Sequence, residues 1–242
     1  MVLPHQSTAP LIAAHRGASR AALENSLAAV ERAIEFGADM VEIDVRRTSD
    51  GVLIAHHDPS VGDEPIRDLS YADVADAKGH APATIEGIVR LAAGRTLLDV
   101  ELKEEGYERD VLDLLDRHVG SHEFIVTSFL ETAVTAAKQH GIRTGLLREA
   151  PSTPEELFAA VDRCGADVLA PHIDIANETV LQGAADRSLP VLVWTVNESS
   201  AMKRCLVDPR IAGVITDEPD VAVAVREDLG SPDDLDEYEP AA

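Results

Sequence analysis

The chain predicts an α/β fold, a parallel (β/α)8 barrel with a short hairpin insertion after its second strand. Three observations carry that expectation. Eight short apolar segments recur along the 242 residues. Stretches with helical periodicity separate them, which is the alternation of a parallel barrel. The length also suits one such barrel, which typically runs to ~250 residues. A doubly wound open sheet is the alternative, and the count of eight disfavours it.

The strands are expected at 11–14 (LIAA), 39–45 (DMVEIDV), 96–102 (TLLDVEL), 124–129 (FIVTSF), 142–147 (IRTGLL), 167–171 (DVLAP), 191–196 (VLVWTV) and 213–216 (GVIT). An extra short strand at 52–56 follows the turn Ser49-Asp50-Gly51. Between strands, the segment 24–37 places apolar residues at 27, 30, 34 and 36 and stops at Gly37. Segment 83–94 opens on Thr84 as N-cap and ends at Gly94. In 153–165, Thr153 precedes Pro154, a capping side chain followed by proline at the first helical position. Further helices are expected near 107–118, 131–140, 177–187, 199–206 and 219–228. The barrel domain spans 1–226. Residues 227–242 form an acidic tail, with seven acids in 227–239, expected to be solvated or disordered.

The bulk charge is unusual. There are 44 acidic against 21 basic side chains, a formal net charge of −23. Only four of the bases are lysines: Lys78, Lys103, Lys138 and Lys203. Such a surface keeps protein soluble in strong salt, so a halophilic cytoplasm is the expected setting. The same charge argues against nucleic acid and against stable membrane association, since both partners need a positive footprint. No apolar run approaches the ~20 residues of a membrane span. The first twenty residues lack a basic start followed by an apolar core, so no signal peptide is expected and the protein is placed in the cytoplasm. Cys164 and Cys205 are too few for a disulfide framework and are expected as buried thiols.

In TIM barrels the working residues sit at the C-terminal ends of the strands. Polar residues at those places form a short set. His15 and Arg16 follow the first strand, and Glu42 and Asp44 alternate on the second. The insertion delivers His57-Asp58, and the third strand carries Glu101 and Lys103 two residues apart. Ser128, His172, Asn197 and Asp217 follow strands four, six, seven and eight, with Trp194 at the end of the seventh. Two acids on one strand face repel each other unless a cation or hydrogen bonds compensate. Glu42, Asp44 and Glu101 together offer oxygen donors suited to a hard divalent metal, Mg²⁺ or Ca²⁺. The alternative is a salt-bridged strand, with Glu101 paired to Lys103. His15 and His57 are candidates for acid–base catalysis, since imidazole titrates near neutral pH. Arg16 and Lys103 suit an anionic phosphate oxygen. Trp194 serves either core packing or a wall for substrate carbons, and His172 either substrate contact or packing.

In order along the chain, HRGAS, LENS, VEIDV, SDGVLIAHHDPS, VELK, SF, VWTVN and ITDEP resemble the glycerophosphodiester phosphodiesterases from about residue 11 to 220. The resemblance implies a metal-dependent barrel enzyme that cleaves a small-molecule glycerophosphodiester to sn-glycerol 3-phosphate and an alcohol. By matching positions it makes Glu42, Asp44 and Glu101 metal ligands, with Arg16 and Lys103 on the phosphate; Trp194, His172 and Asn197, from their places at strand ends, are the candidates for substrate contact. His15 and His57 become the acid–base pair. A substrate hydroxyl attacks phosphorus and gives a cyclic phosphate that water opens. Two departures stand out. The family's Pro-Glu-Asn-Thr is Leu23-Glu24-Asn25-Ser26 here, and the stretch between Asp58 and Thr84 is short, which implies an open site. A lipid phosphodiesterase of the lysophospholipase D kind and a non-catalytic phosphoester-binding barrel are the alternative readings.

Overall fold

The computed structural model describes residues 9–149 and 153–230. Eight parallel strands form the barrel: β1 (Leu11–Ala14), β2 (Met40–Arg47), β3 (Leu97–Leu102), β4 (Phe124–Ser128), β5 (Thr144–Arg148), β6 (Val168–Pro171), β7 (Leu192–Val193) and β8 (Gly213–Thr216). Each pairs with its sequence neighbour, and β8 pairs with β1. The seam between β6 and β7 closes through single bridges, Leu169 with Val191 and His172 with Trp194. The expected (β/α)8 architecture is therefore present.

Nine helices lie among the described residues: α1 (Leu27–Glu35), α2 (Tyr71–Lys78), α3 (Ile85–Ala92), α4 (Glu108–His118), α5 (Glu131–Gln139), α6 (Pro154–Cys164), α7 (Glu178–Asp186), α8 (Ser199–Val207) and α9 (Pro219–Asp228). Their starts follow from local chemistry. Ser26 accepts from Ala29 N, so α1 begins at Leu27 and leaves Glu24 and Asn25 free to face the barrel mouth. Thr84 caps α3 through Gly87 N. Thr153 and Glu156 form a reciprocal capping box at α6, with Pro154 in its first turn.

The core has two layers. Val41, Ile43 and Val45 point outward from β2 into a cluster with Val30, Ile88 and Val89 of the helices. Ala13, Met40, Ile125, Leu147, Val168 and Ile215 fill the barrel itself. Each fully buried aliphatic side chain contributes about 1.5–3 kcal/mol, so these layers fix the register on which the polar residues depend. Cys164 and Cys205 are buried free thiols, as expected.

Three expectations need adjustment. The fifth strand begins at Thr144 rather than 142, because Ile142 N still bonds Ala137 O and closes the end of α5. Regular pairing in the seventh stops at Val193, because Trp194 N bonds Pro171 O on one side while Val196 N bonds Ile215 O on the other. The insertion after β2 is more than a hairpin. Leu53–Ala55 pairs antiparallel with the end of β2, and a second small hairpin joins Ser60–Val61 to Glu64–Pro65. A 3₁₀ turn at Ile66–Asp68 and α2 then follow. Ile54, Ile66, Leu69 and Val74 give this unit its own small core. The expected tail begins inside α9, which runs through Asp228, and residues 231–242 lie outside the described residues, as does His5. Among the described residues no helix is long and apolar enough to cross a membrane.

Candidate active site

The C-terminal ends of β1, β2 and β3 meet at a cavity of about 340 Å³ in the barrel mouth. Alternation on β2 sends Glu42 and Asp44 inward, and parallel pairing sets Asp99 of β3 opposite Glu42 and Glu101 opposite Asp44. Four carboxylates thus occupy two tiers on adjacent strands, and all four are buried. One oxygen from each of Glu42, Asp44 and Glu101 lies within 4.8 Å of the others.

That arrangement is electrostatically costly. Burial, with the charges of Asp44, Glu101 and Asp99, pushes the Glu42 carboxyl well above the usual carboxylate range. Burial raises Asp99 and Glu101 to about 7. Asp44 goes the other way: burial opposes its ionisation, but Lys103, Arg16 and Asn25 outweigh it and lower its pKa. Lys103 Nζ stands 2.8 Å from Asp44 Oδ1 and 2.6 Å from Glu101 Oε1, so the Glu101–Lys103 ion pair of the alternative reading is present. Glu42 Oε1, by contrast, is buried with no hydrogen-bond partner. Two cations, Lys103 and Arg16, do not balance four buried carboxylates. A hard divalent cation fits the cluster by donor chemistry, by the spacing of the oxygens and by the orphaned Glu42 oxygen.

The loop after β1 is shaped to reach this cluster. Arg16 has φ 57° and Asn25 φ 54°, left-handed values that cost a non-glycine residue about 1–2 kcal/mol. Hydrogen bonds hold both. Arg16 N donates to Glu42 Oε2 at 2.7 Å, and Asn25 N donates to Arg16 O at 2.9 Å. Asn25 Nδ2 donates to Asp44 Oδ2 at 2.7 Å while its Oδ1 accepts from Asp44 N at 3.1 Å. Gly17, at φ 79°, lets the loop press on α1, where a Cβ would lie 2.6 Å from the Ala29 carbonyl carbon. The Arg16 side chain then reaches Glu24 at 2.9 Å and Asp44 at 3.2 Å.

Each candidate histidine has a carboxylate on Nδ1. His15 Nδ1 is 2.7 Å from Asp217 Oδ1, and His57 Nδ1 is 2.8 Å from Asp58 Oδ1. With Nδ1 holding the proton, each Nε2 is free to exchange one. His15 Nε2 lies 3.9 Å from Glu42 Oε2, at the edge of the carboxylate cluster. Asp217 is fixed in turn by Ser19 Oγ at 3.1 Å and Asn197 Nδ2 at 2.7 Å.

Of the residues singled out in the sequence, His15, Arg16, Glu42, His57, Glu101, Lys103 and Trp194 line the cavity, and Asp44 is fully buried behind Lys103, Arg16 and Asn25. His172 and Asn197 do not line it. His172 packs edge-on against Trp194 with ring centroids 5.0 Å apart. Both ends of the Asn197 amide are used within the protein, on Asp217 and Thr216. Trp194 is part of an apolar wall with Phe129, their rings 5.5 Å apart, and its Nε1 donates to Ala170 O. Sequence reasoning gave no role to Asp99, which accepts a 2.6 Å hydrogen bond from Thr127 Oγ1, or to the Asp217 buttress. Asp99 continues the alternation of Glu101 and Lys103, a signal that was there to be read.

Residues 15–221 match the model of the glycerophosphoryl diester phosphodiesterase family. A glycerophosphodiester phosphodiesterase of Caldanaerobacter subterraneus is 27% identical over 237 residues, covering 88% of this chain and 96% of that one. One from Arabidopsis thaliana is 26% identical over 254 residues, 91% of this chain and 74% of its own length. Among solved structures, the glycerophosphodiester phosphodiesterase of Thermotoga maritima superposes with a TM-score of 0.79 at 24% identity, covering 90% of this chain and 98% of that one. An Oleispira antarctica phosphodiesterase in complex with the product sn-glycerol-3-phosphate gives 0.78 at 24% identity, covering 90% and 97%. With the family model spanning nearly the whole barrel, and the acidic cluster and paired histidines at its mouth, the chain belongs to the glycerophosphoryl diester phosphodiesterase family and is an enzyme of that class.

Proposed function

We propose that the enzyme hydrolyses a water-soluble glycerophosphodiester to sn-glycerol 3-phosphate and an alcohol, with a divalent cation, Mg²⁺ or Ca²⁺, held by Glu42, Asp44 and Glu101. The observation that carries this reading is the convergence of two carboxylate-buttressed histidines, two cations and three clustered acids on one cavity. The product named for the Oleispira protein agrees with it. When bound, the cation neutralises the carboxylates and polarises a phosphoryl oxygen.

The chain's own residues supply the rest. Arg16 and Lys103 face the phosphate and stabilise charge that grows on its oxygens. His57 Nε2 takes the proton of a neighbouring substrate hydroxyl, whose oxygen attacks phosphorus. His15 gives a proton to the departing alcohol oxygen as the P–O bond breaks, leaving a cyclic phosphate. In the second half the roles exchange: His15 takes a proton from water and His57 returns one to the ring oxygen that leaves. Phe129 and Trp194 cover the carbon skeleton. Asn197 acts on Asp217 and His172 on Trp194, so both position groups that meet substrate.

The test is release of glycerol 3-phosphate from glycerophosphocholine, glycerophosphoethanolamine and glycerophosphoglycerol, in molar KCl, with either cation or a chelator. Turnover that needs the cation and vanishes in His57→Ala supports the reading. A folded protein that binds the cation and turns over none of the three moves the assignment to lipid substrates. The same assay at low salt tests the halophilic setting that the −23 charge suggests.

A further inference from the structure

The inward face of β2 carries a third polar residue beyond the two acids. Arg46 follows Glu42 and Asp44 in the same alternation, and although cationic it is only 6% exposed. A guanidinium is buried at a strand end only where its donors are used. Arg46 uses them on the His57 loop. Its Nε and Nη2 both donate to the His57 backbone carbonyl, at 2.9 and 2.8 Å, and its Nη1 donates to Glu104.

That fork ties the His57 carbonyl to the barrel wall, next to a backbone hydrogen bond from His56 N to Asp44 O at 3.1 Å. The His57 side chain is 40% exposed, and its ring contact is to Asp58, the next residue and itself 70% exposed. Such a ring has little packing to hold its direction. Glu104 adds a second tie, because it directly follows Lys103. Tyr107, 2% exposed, donates to Val45 O at 2.6 Å and accepts from Lys103 N and Glu104 N, both at 3.1 Å. The end of β2, the His57 loop and the Lys103 loop are thereby joined in one hydrogen-bonded unit.

We propose that Arg46 is a positioning residue that clamps the His57 carbonyl and so aims the His57 ring at the reacting oxygen. The assignment rests on the proton-transfer role of His57 given above. Arg46 touches no substrate; its effect passes through the backbone of the histidine. Its guanidinium is matched to a bidentate grip on one carbonyl, a geometry that a lysine ammonium does not reproduce.

The test compares the full chain with Arg46→Met and Arg46→Lys. With glycerophosphocholine, Arg46→Met loses about a hundredfold in kcat, the effect of a misplacement near 1 Å. KM stays within about threefold, as for an interaction made only in the transition state. Arg46→Lys, which keeps the charge and guards against loss of folding, falls between the two. Cation affinity by calorimetry is unchanged, because Glu42, Asp44 and Glu101 are untouched. In NMR of the nine histidines, assigned with His57→Ala, the His57 ring signal shifts and broadens while His15 does not. The proposal is overturned by an unmoved His57 signal with unchanged kcat. It is equally overturned if His15, His57 and cation affinity all change together, the mark of general damage. Should the wild type turn over no phosphodiester, the phosphodiesterase reading fails by itself, and the His57 signal alone decides the clamp.

Discussion

Strands β2 and β3 send Glu42, Asp44, Asp99, Glu101 and Lys103 into the barrel, whereas β5 to β8 send Leu147, Ala170, Leu192 and Ile215. The buried carboxylates are thus packed onto two adjacent strands, and the opposite wall is mainly hydrocarbon, capped by Phe129 and Trp194, with the exposed Glu149 also lining the cavity just past β5. The difference is physically useful. Apolar walls keep the local dielectric low, so each charge on the β2–β3 side acts more strongly than it would in water. The same low dielectric raises the cost of every buried acid left without a compensating partner. One half should therefore govern turnover and the other substrate retention.

The largest effect expected is from the charged half. Chelation, or Glu42→Gln, should lower turnover by about 10⁴-fold, since a bound cation supplies several kcal/mol of charge stabilisation. The wild type should gain thermal midpoint with Mg²⁺ or Ca²⁺, and the same substitution should abolish that rise. If Glu42→Gln keeps that rise, the cation is held elsewhere. Next in size, His57→Ala should cost about 10³-fold in kcat, within the range of a general acid or base. It should leave the cation-dependent thermal shift intact, which separates proton transfer from metal binding.

The apolar half should answer differently. Trp194→Leu should raise KM about tenfold and alter kcat by less than about threefold, since packing against substrate carbons is present in ground and transition states alike. A fall in kcat comparable to that of His57→Ala would end the division of labour between the two walls.

Much of this was legible because strand alternation is a strict rule. Glu42 and Asp44 had to share a face, and so did Glu101 and Lys103. Which residues stand side by side across strands was not legible, because register is set by the whole sheet. Pairing of Glu42 with Asp99 follows only from the β2–β3 register. The buttresses depend on longer separations still: Asp217 reaches His15 across 202 residues and Asn197 reaches Asp217 across 20. The helix α2 was missed for a different reason. Its short segment buries only Val74, so it has almost no apolar stripe, although Ser70 and Asp73 do form a capping box.

The smallest effect expected concerns Asp217, which lies between the two halves and anchors His15. Burial opposes its ionisation, but the hydrogen bonds and charge of His15, with Asn197 and Ser19, prevail and hold its pKa at about 2 against an ordinary 3.8. In the unfolded chain this carboxyl binds its proton as pH falls through the ordinary value, while the folded protein resists until about 2. Its stabilisation is therefore complete above about pH 5 and disappears as pH falls through that window. The full shift corresponds to about 2 kcal/mol, and partial exposure reduces this to about 1–2 kcal/mol. Asp217→Asn should thus be less stable than wild type in urea at pH 6, with the gap narrowing towards pH 2.5 as the carboxyl of the unfolded chain takes up its proton while the native one stays ionised. A gap that stays constant across that range would mean that the shape of the side chain, and not its charge, holds His15 in place.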